Sequence, residues 1–197
     1  MAAHHRLLSR VSAQLSKHAI QHAIAFAWGL GEAIVFFVIP DVLVTRAALT
    51  SLRFGMATVA YALAGSLLGG ALSYLWGASD LAGARHVLDA LPAISIDMLD
   101  RAQQALAIDG MCAALLGSFT GVPYKVFAIH AAGAGIALPE FLLASIPVRA
   151  TRFVLLAIVT RVLVRRVVPT WSEQRLRLAW ALAWFVNYAI YWTIMPN

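Results

Sequence analysis

Residues 19–45 read AIQHAIAFAWGLGEAIVFFVIPDVLVT, and the reading of this stretch decides the architecture. It is apolar enough to enter a bilayer, yet Gly29, Gly31, Glu32, Pro40 and Asp41 interrupt it. A plain spanning helix has no use for two carboxylates and a proline in hydrocarbon. Broken backbone is tolerated at membrane depth only where protein buries it or a watery cavity solvates it. The stretch therefore predicts a re-entrant helical hairpin near 25–50, with Pro40 at its tip.

Working outward, residues 54–79 are 26 consecutive uncharged positions, where about 20 span a bilayer. Within them, Gly65-Ser66-Leu67-Leu68-Gly69-Gly70 is a small-residue face of the kind that lets membrane helices approach closely. Residues 110–138 are apolar and broken again, by Gly121-Val122-Pro123-Tyr124-Lys125. A further apolar helix over 139–164 opens with Pro139-Glu140 and holds Arg149 and Arg152. Two interrupted segments, each followed by a nearly uninterrupted helix, are a sequence pointer to a transporter-type site between related halves. The second predicted hairpin covers about 110–137, with Gly121, Pro123 and Tyr124 at its tip, and the two tips are expected to meet.

The flanks complete an all-α integral membrane protein. In residues 1–18, Leu7, Leu8, Val11 and Leu15 fall at helical spacing with Arg6, Arg10 and Lys17 elsewhere on the wheel, which predicts an interfacial helix. Ala25-Phe26-Ala27 resembles a signal-cleavage site, but the uncharged stretch runs on past it and the basic residues before it are spread out, so retention is expected. Residues 80–109, with five Asp, two Arg and Pro92, predict an extramembrane loop carrying a short amphipathic helix around Met98–Leu106. Residues 19–165 form the transmembrane core, and 166–197 a basic loop followed by a last span over 178–195 with interfacial aromatics.

Composition agrees. The 197 residues are 61% hydrophobic and 12% charged, against about 25% charged in a soluble domain. The net charge of +6 comes from 15 Lys and Arg, 13 of them Arg, and 9 Asp and Glu. In this setting it points to loops facing anionic lipid rather than to nucleic acid. Counting basic residues by side puts the N-terminus in the cytoplasm, with the chain in a bacterial inner membrane. The count is the same whether the broken segments re-enter or cross, so charge does not choose between those topologies.

Lys125, Arg149 and Arg152 belong to no loop. Each costs about 2.5–3.5 kcal/mol at a bilayer centre on the lenient insertion scale. Arg149 and Arg152, three apart, share a helix face that can turn toward Glu32 and Asp41. Three cations against two carboxylates leave a surplus positive charge, helped by half-helix N-termini at the tips, and the expected ligand is an anion. The plain alternative is a set of ion pairs that fixes packing. No metal or other cofactor is expected: His4, His5, His18 and His22 have no carboxylate or cysteine beside them, Asp97, Asp100 and Asp109 fit a solvated face, and Cys112 fits apolar packing.

These residues resemble the DedA or VTT (SNARE-associated) membrane proteins, in particular the YqaA-like branch. The resemblance rests on Glu32-Ala33-Ile34-Val35-Phe36-Phe37-Val38-Ile39-Pro40-Asp41-Val42-Leu43, on 65–70 with Tyr74 and Gly77, on Phe119-Thr120-Gly121-Val122-Pro123-Tyr124-Lys125-Val126-Phe127 with Gly133, and on Arg149-Ala150-Thr151-Arg152-Phe153. It implies two inverted re-entrant hairpins and a role in moving lipids such as phospholipids or polyprenyl phosphates. It also implies proton coupling through Glu32 and Asp41, and head-group binding by Lys125, Arg149 and Arg152. Gly121 stands where a proline is expected, Ser118 and Lys125 where arginines are. Lysine offers a point charge in place of a bidentate fork.

The expected function is therefore a flippase-like or scramblase-like lipid transporter whose partners are anionic membrane lipids, with room for a homo-oligomer. An intramembrane enzyme acting on lipid phosphates is the weaker alternative, because His130 has no defined carboxylate and Cys112 no paired histidine. A structural or assembly factor, its polar residues serving as helix glue, is the third.

Overall fold

The computed structural model describes residues 18–194. The expected interfacial helix lies outside them except for His18, as does the end of the last expected span. The described residues form nine helices and no strand: α1 (18–32), α2 (Asp41–Thr50), α3 (Leu52–Ser79), α4 (Leu81–Asp89), α5 (Ile96–Asp109), α6 (Met111–Thr120), α7 (Tyr124–Ala131), α8 (Leu138–Arg166) and α9 (Glu173–Ile194). Two of them, α3 and α8, are long and apolar enough to cross a membrane.

The starts of these helices follow local chemistry. The Ser51 hydroxyl accepts from the Phe54 amide at 3.1 Å and opens α3, Asp80 caps α4 through the Gly83 amide at 2.9 Å, and Ser95 caps α5 through Met98. A side-chain acceptor at that position satisfies an amide the helix leaves orphaned. Between α3 and α6 the chain holds two helices where the sequence suggested a loop with one short helix. The extra one, α4, buries Ala84 and Leu88 one turn apart, while α5 buries Met98, Leu99, Ala102 and Leu106 along one stripe.

The helix α3 serves as a ruler for the rest. Along α1, His22 stacks on Tyr61, Phe26 offers its carbonyl to the space beside Gly65 and Leu30 to that beside Gly69, and the Ala33 carbonyl accepts from Ser73 Oγ at 2.7 Å. Both numberings rise together, so α1 runs parallel to α3. A Cβ at Gly65 or Gly69 would run into those carbonyls, which is why this crossing needs glycine. The chain turns from α2 into α3 through Ser51, with Ala48 against Gly55, so α2 runs antiparallel to α3. Together α1 and α2 form a hairpin that starts and ends beside the N-terminal end of α3.

The second hairpin mirrors the first. Tyr124 lies against Gly70, and the Ile129 carbonyl against Gly77, so α7 also runs parallel to α3. Gly117 meets the Phe127 ring across Val122, folding α6 back along α7. This hairpin opens at the C-terminal end of α3, opposite to the first. Both tips reach the level of Gly69 and Gly70, one at Ala33 and the other at Tyr124. Antiparallel to α3 runs α8, with Arg149 beside Ser66 and Phe141 beside Tyr74. The last helix, α9, has no buried residue. It lies along the first hairpin through Trp180 and Trp184, whose indole N–H groups both donate to Thr45 Oγ1 at 3.0 Å.

Candidate functional site

The backbone between α1 and α2 is irregular from Ala33 to Pro40, and four of its polar groups find partners on other elements. The Ala33 carbonyl accepts from Ser73, that of Phe36 from Lys125 Nζ at 2.7 Å, and that of Val38 from the Trp28 indole at 2.8 Å. The Ile39 amide donates to Tyr188 Oη at 3.1 Å. Four elements thus supply hydrogen bonds to a stretch that no helix serves. In the second break, Gly121 has φ +90° and closes α6 as a left-handed C-cap. Pro123, extended at φ −64°, ψ 140°, precedes α7 without supplying a side-chain cap. Arg152 Nη1 donates to the Ser118 carbonyl at 3.2 Å, placing a cation at the C-terminal end of α6.

Around these tips stand the five ionisable residues singled out in the sequence. Arg149 forms a buried ion pair with Glu32, both about 3% exposed at the side chain. Its guanidinium also donates to Ser66 Oγ at 3.0 Å and sits 4.9 Å from the ring centres of both Tyr124 and Phe153. Tyr124 is fixed in turn by donating to Ser145 Oγ at 2.7 Å, and Ser145 to the Phe141 carbonyl. Arg152 pairs with the buried Asp41 at 3.0 Å. Each carboxylate thus has an arginine of its own, which leaves Lys125 over.

Lys125 is 2% exposed. No carboxylate of the described residues lies within ion-pair distance of it, and its one hydrogen bond goes to the Phe36 carbonyl. Across the site, Asp41 Oδ1 and Arg149 Nε are buried with no hydrogen-bond partner. All five ionisable residues line a cavity of about 350 Å³. Its other walls are the second tip from Ser118 to Pro123, the turn at Leu91–Ile94, and Trp184, Asn187, Tyr188 and Tyr191 of α9. The tip residues Gly121, Pro123 and Tyr124 line it, and Pro40, which is buried, stands at the N-cap of α2.

Two contributors escaped the sequence reading. Ser66 looked like one more small residue of a packing face, although a hydroxyl in an uncharged run is a donor or acceptor in want of a partner. The aromatic wall of α9 read as an interfacial belt. Elsewhere, His18 and His22 lie against the rings of Phe54 and Tyr61, Asp97 pairs with Arg101 and Asp100 with Arg85, and Cys112 is exposed. No group of three His, Cys, Asp or Glu among the described residues is placed to hold a metal.

No protein-family model, curated protein or solved structure matches the chain.

Proposed function

We propose that the chain is a membrane lipid transporter in which Lys125, Arg149 and Arg152 receive an anionic head group, a phospholipid or polyprenyl phosphate, at the meeting point of two inverted re-entrant hairpins. The observation that carries this reading is Lys125: a buried cation with no carboxylate, beside two arginines already neutralised, in the wall of a cavity large enough for a head group. Such a charge is expensive for a structural role and useful for an anion. The N-terminal ends of the half-helices α2 and α7 lie at the same place and add positive potential.

The membrane setting follows from the same features. The helix α2, ten residues long, rises about 15 Å from Ser51 to Asp41, which is half of a hydrocarbon core of about 30 Å. Arg46, Arg53, Arg161, Arg165, Arg166, Arg175 and Arg177 gather toward the end of the bundle where α3 starts, and Arg85 and Arg101 toward the other. The positive-inside bias then supports a cytoplasmic start of α3 in a bacterial cell. In this reading the DedA or VTT resemblance supplies the family, with Glu32 and Asp41 as proton-coupling groups. A phosphate that draws Arg149 or Arg152 away strands a buried carboxylate, and a proton neutralises it at the least cost.

The test is a flip assay in proteoliposomes carrying a labelled anionic phospholipid, with and without a pH gradient. A charge-assisted hydrogen bond is worth about 1.5–3 kcal/mol, so Arg152→Ala should slow translocation by roughly tenfold or more. Wild-type protein that moves no anionic lipid, or an Arg152→Ala variant that moves it at the full rate, removes the proposal. A changed head group on mass analysis would transfer the site to an enzyme.

A further inference from the structure

Away from the cavity, a second polar cluster joins α7 to the helices on the far side of the bundle. His130, in the last turn of α7, is 1% exposed. Its Nδ1 lies 2.7 Å from the Val126 carbonyl and its Nε2 3.0 Å from Arg85 Nη1 of α4. A carbonyl only accepts and a guanidinium only donates, so this geometry fixes the tautomer: Nδ1 carries the hydrogen and Nε2 is the acceptor. Arg85 is held from its other side by Asp100 of α5 at 2.5 Å and by Gln103 Oε1 at 3.1 Å.

We infer that His130 is the proton-sensitive element of a latch that docks α7, the helix bearing Tyr124 and Lys125, onto α4 and α5. Neutral imidazole accepts the Arg85 hydrogen bond. A second proton on the ring puts N–H against N–H and cation against cation at 3.0 Å, and the contact cannot survive. Arg85 keeps Asp100 and Gln103, so the break falls between His130 and Arg85 and lets the last turn of α7 part from α4 and α5 while the helix stays seated against α3.

The surroundings do not rescue the protonated ring. The charged groups facing it are Arg85 from α4 and Asp100 from α5, and Asp100 is already engaged by Arg85. Residues 54–79 of α3 and 111–120 of α6 hold no charged residue, and on α7 itself the one charged neighbour is Lys125, a further cation. Histidine is the side chain that changes charge near neutral pH. The latch therefore holds at neutral pH and opens as protons accumulate on the α4–α5 side. It does not depend on what the cavity carries.

The experiment places spin labels at Gly133→Cys and Gln104→Cys in full-length protein with Cys112→Ser, reconstituted in nanodiscs. Gly133 accepts a side chain, since a Cβ there makes only an ordinary contact with the His130 carbonyl. Between about pH 7.5 and about pH 4.5 the wild-type distance distribution should gain a longer population. His130→Gln, which accepts from Arg85 but does not titrate, should keep the short distance at both pH values. Arg85→Gln removes the opposing charge, so its distribution should be the same at both. A wild-type distribution that does not move with pH overturns the inference. So does an acid-induced shift of equal size in His130→Gln, or in Arg85→Gln should the first variant not fold. Neither result bears on lipid translocation.

Discussion

Replacing Lys125 by Met is expected to make the protein more stable and inactive. The ammonium is 2% exposed and carries a desolvation penalty of several kcal/mol. Against this stands one charge-assisted hydrogen bond, to the Phe36 carbonyl, worth about 1.5–3 kcal/mol. Glu32 attracts Lys125 more than Arg149 repels it, which offsets part of that penalty. Methionine fills nearly the same space, and a swap of matched volume costs under about 1.5 kcal/mol. The balance favours the variant by about 1 kcal/mol, which for a chain of this size is about 2–4 °C in melting temperature. Thermal unfolding in detergent, followed by tryptophan emission, reads the stability, and the flip assay should show a loss of roughly tenfold or more. A variant weakened by about 3–5 kcal/mol, as when a buried ion pair loses one member, would make Lys125 a structural keystone and refute the reasoning.

Glu32→Gln should destabilise by about 3–5 kcal/mol, because it strands the buried Arg149 guanidinium. The double variant Glu32→Gln with Arg149→Met should recover most of that loss in thermal melts while staying inactive in the flip assay; recovery of transport would favour simple helix glue. Gly77→Ala sets a Cβ against the Ile129 carbonyl and should cost about 1–3 kcal/mol, whereas Gly133→Ala should stay within about 0.5 kcal/mol; urea titration compares them. Thr45→Val removes the acceptor shared by Trp180 and Trp184, so α9 should loosen, seen as red-shifted tryptophan emission and faster amide exchange over 173–194 with α3 unchanged.

The positions of the breaks could be read from sequence because polar residues stand out in an apolar run: Glu32 and Asp41 in the first, Gly121 and Pro123 in the second. The direction in which each broken segment turns could not, since it follows from which carbonyl of α1 meets Gly65 and which ring of α7 meets Gly70. The same holds for pairing. That two carboxylates would seek cations was legible, but Glu32 finds Arg149 across 117 residues of chain, and no spacing encodes that choice. Residues 80–109 concealed α4, a nine-residue helix, because a single buried pair one turn apart is a faint periodic signal.

The way α9 is attached has one more consequence. Every other helix around the cavity is seated by close packing, whereas α9 is fastened at Thr45 and Ile39 by indole and phenol groups. Within lipid, apolar contact gives two helices little reason to stay together, and polar handles decide whether they do. The enclosure therefore has a seam along one side, closed by these three bonds together with Trp192 against Phe37 and Trp180 under Arg46. A molecule with a charged end and a greasy tail could pass its charged end through such a seam without its tail ever leaving the oil.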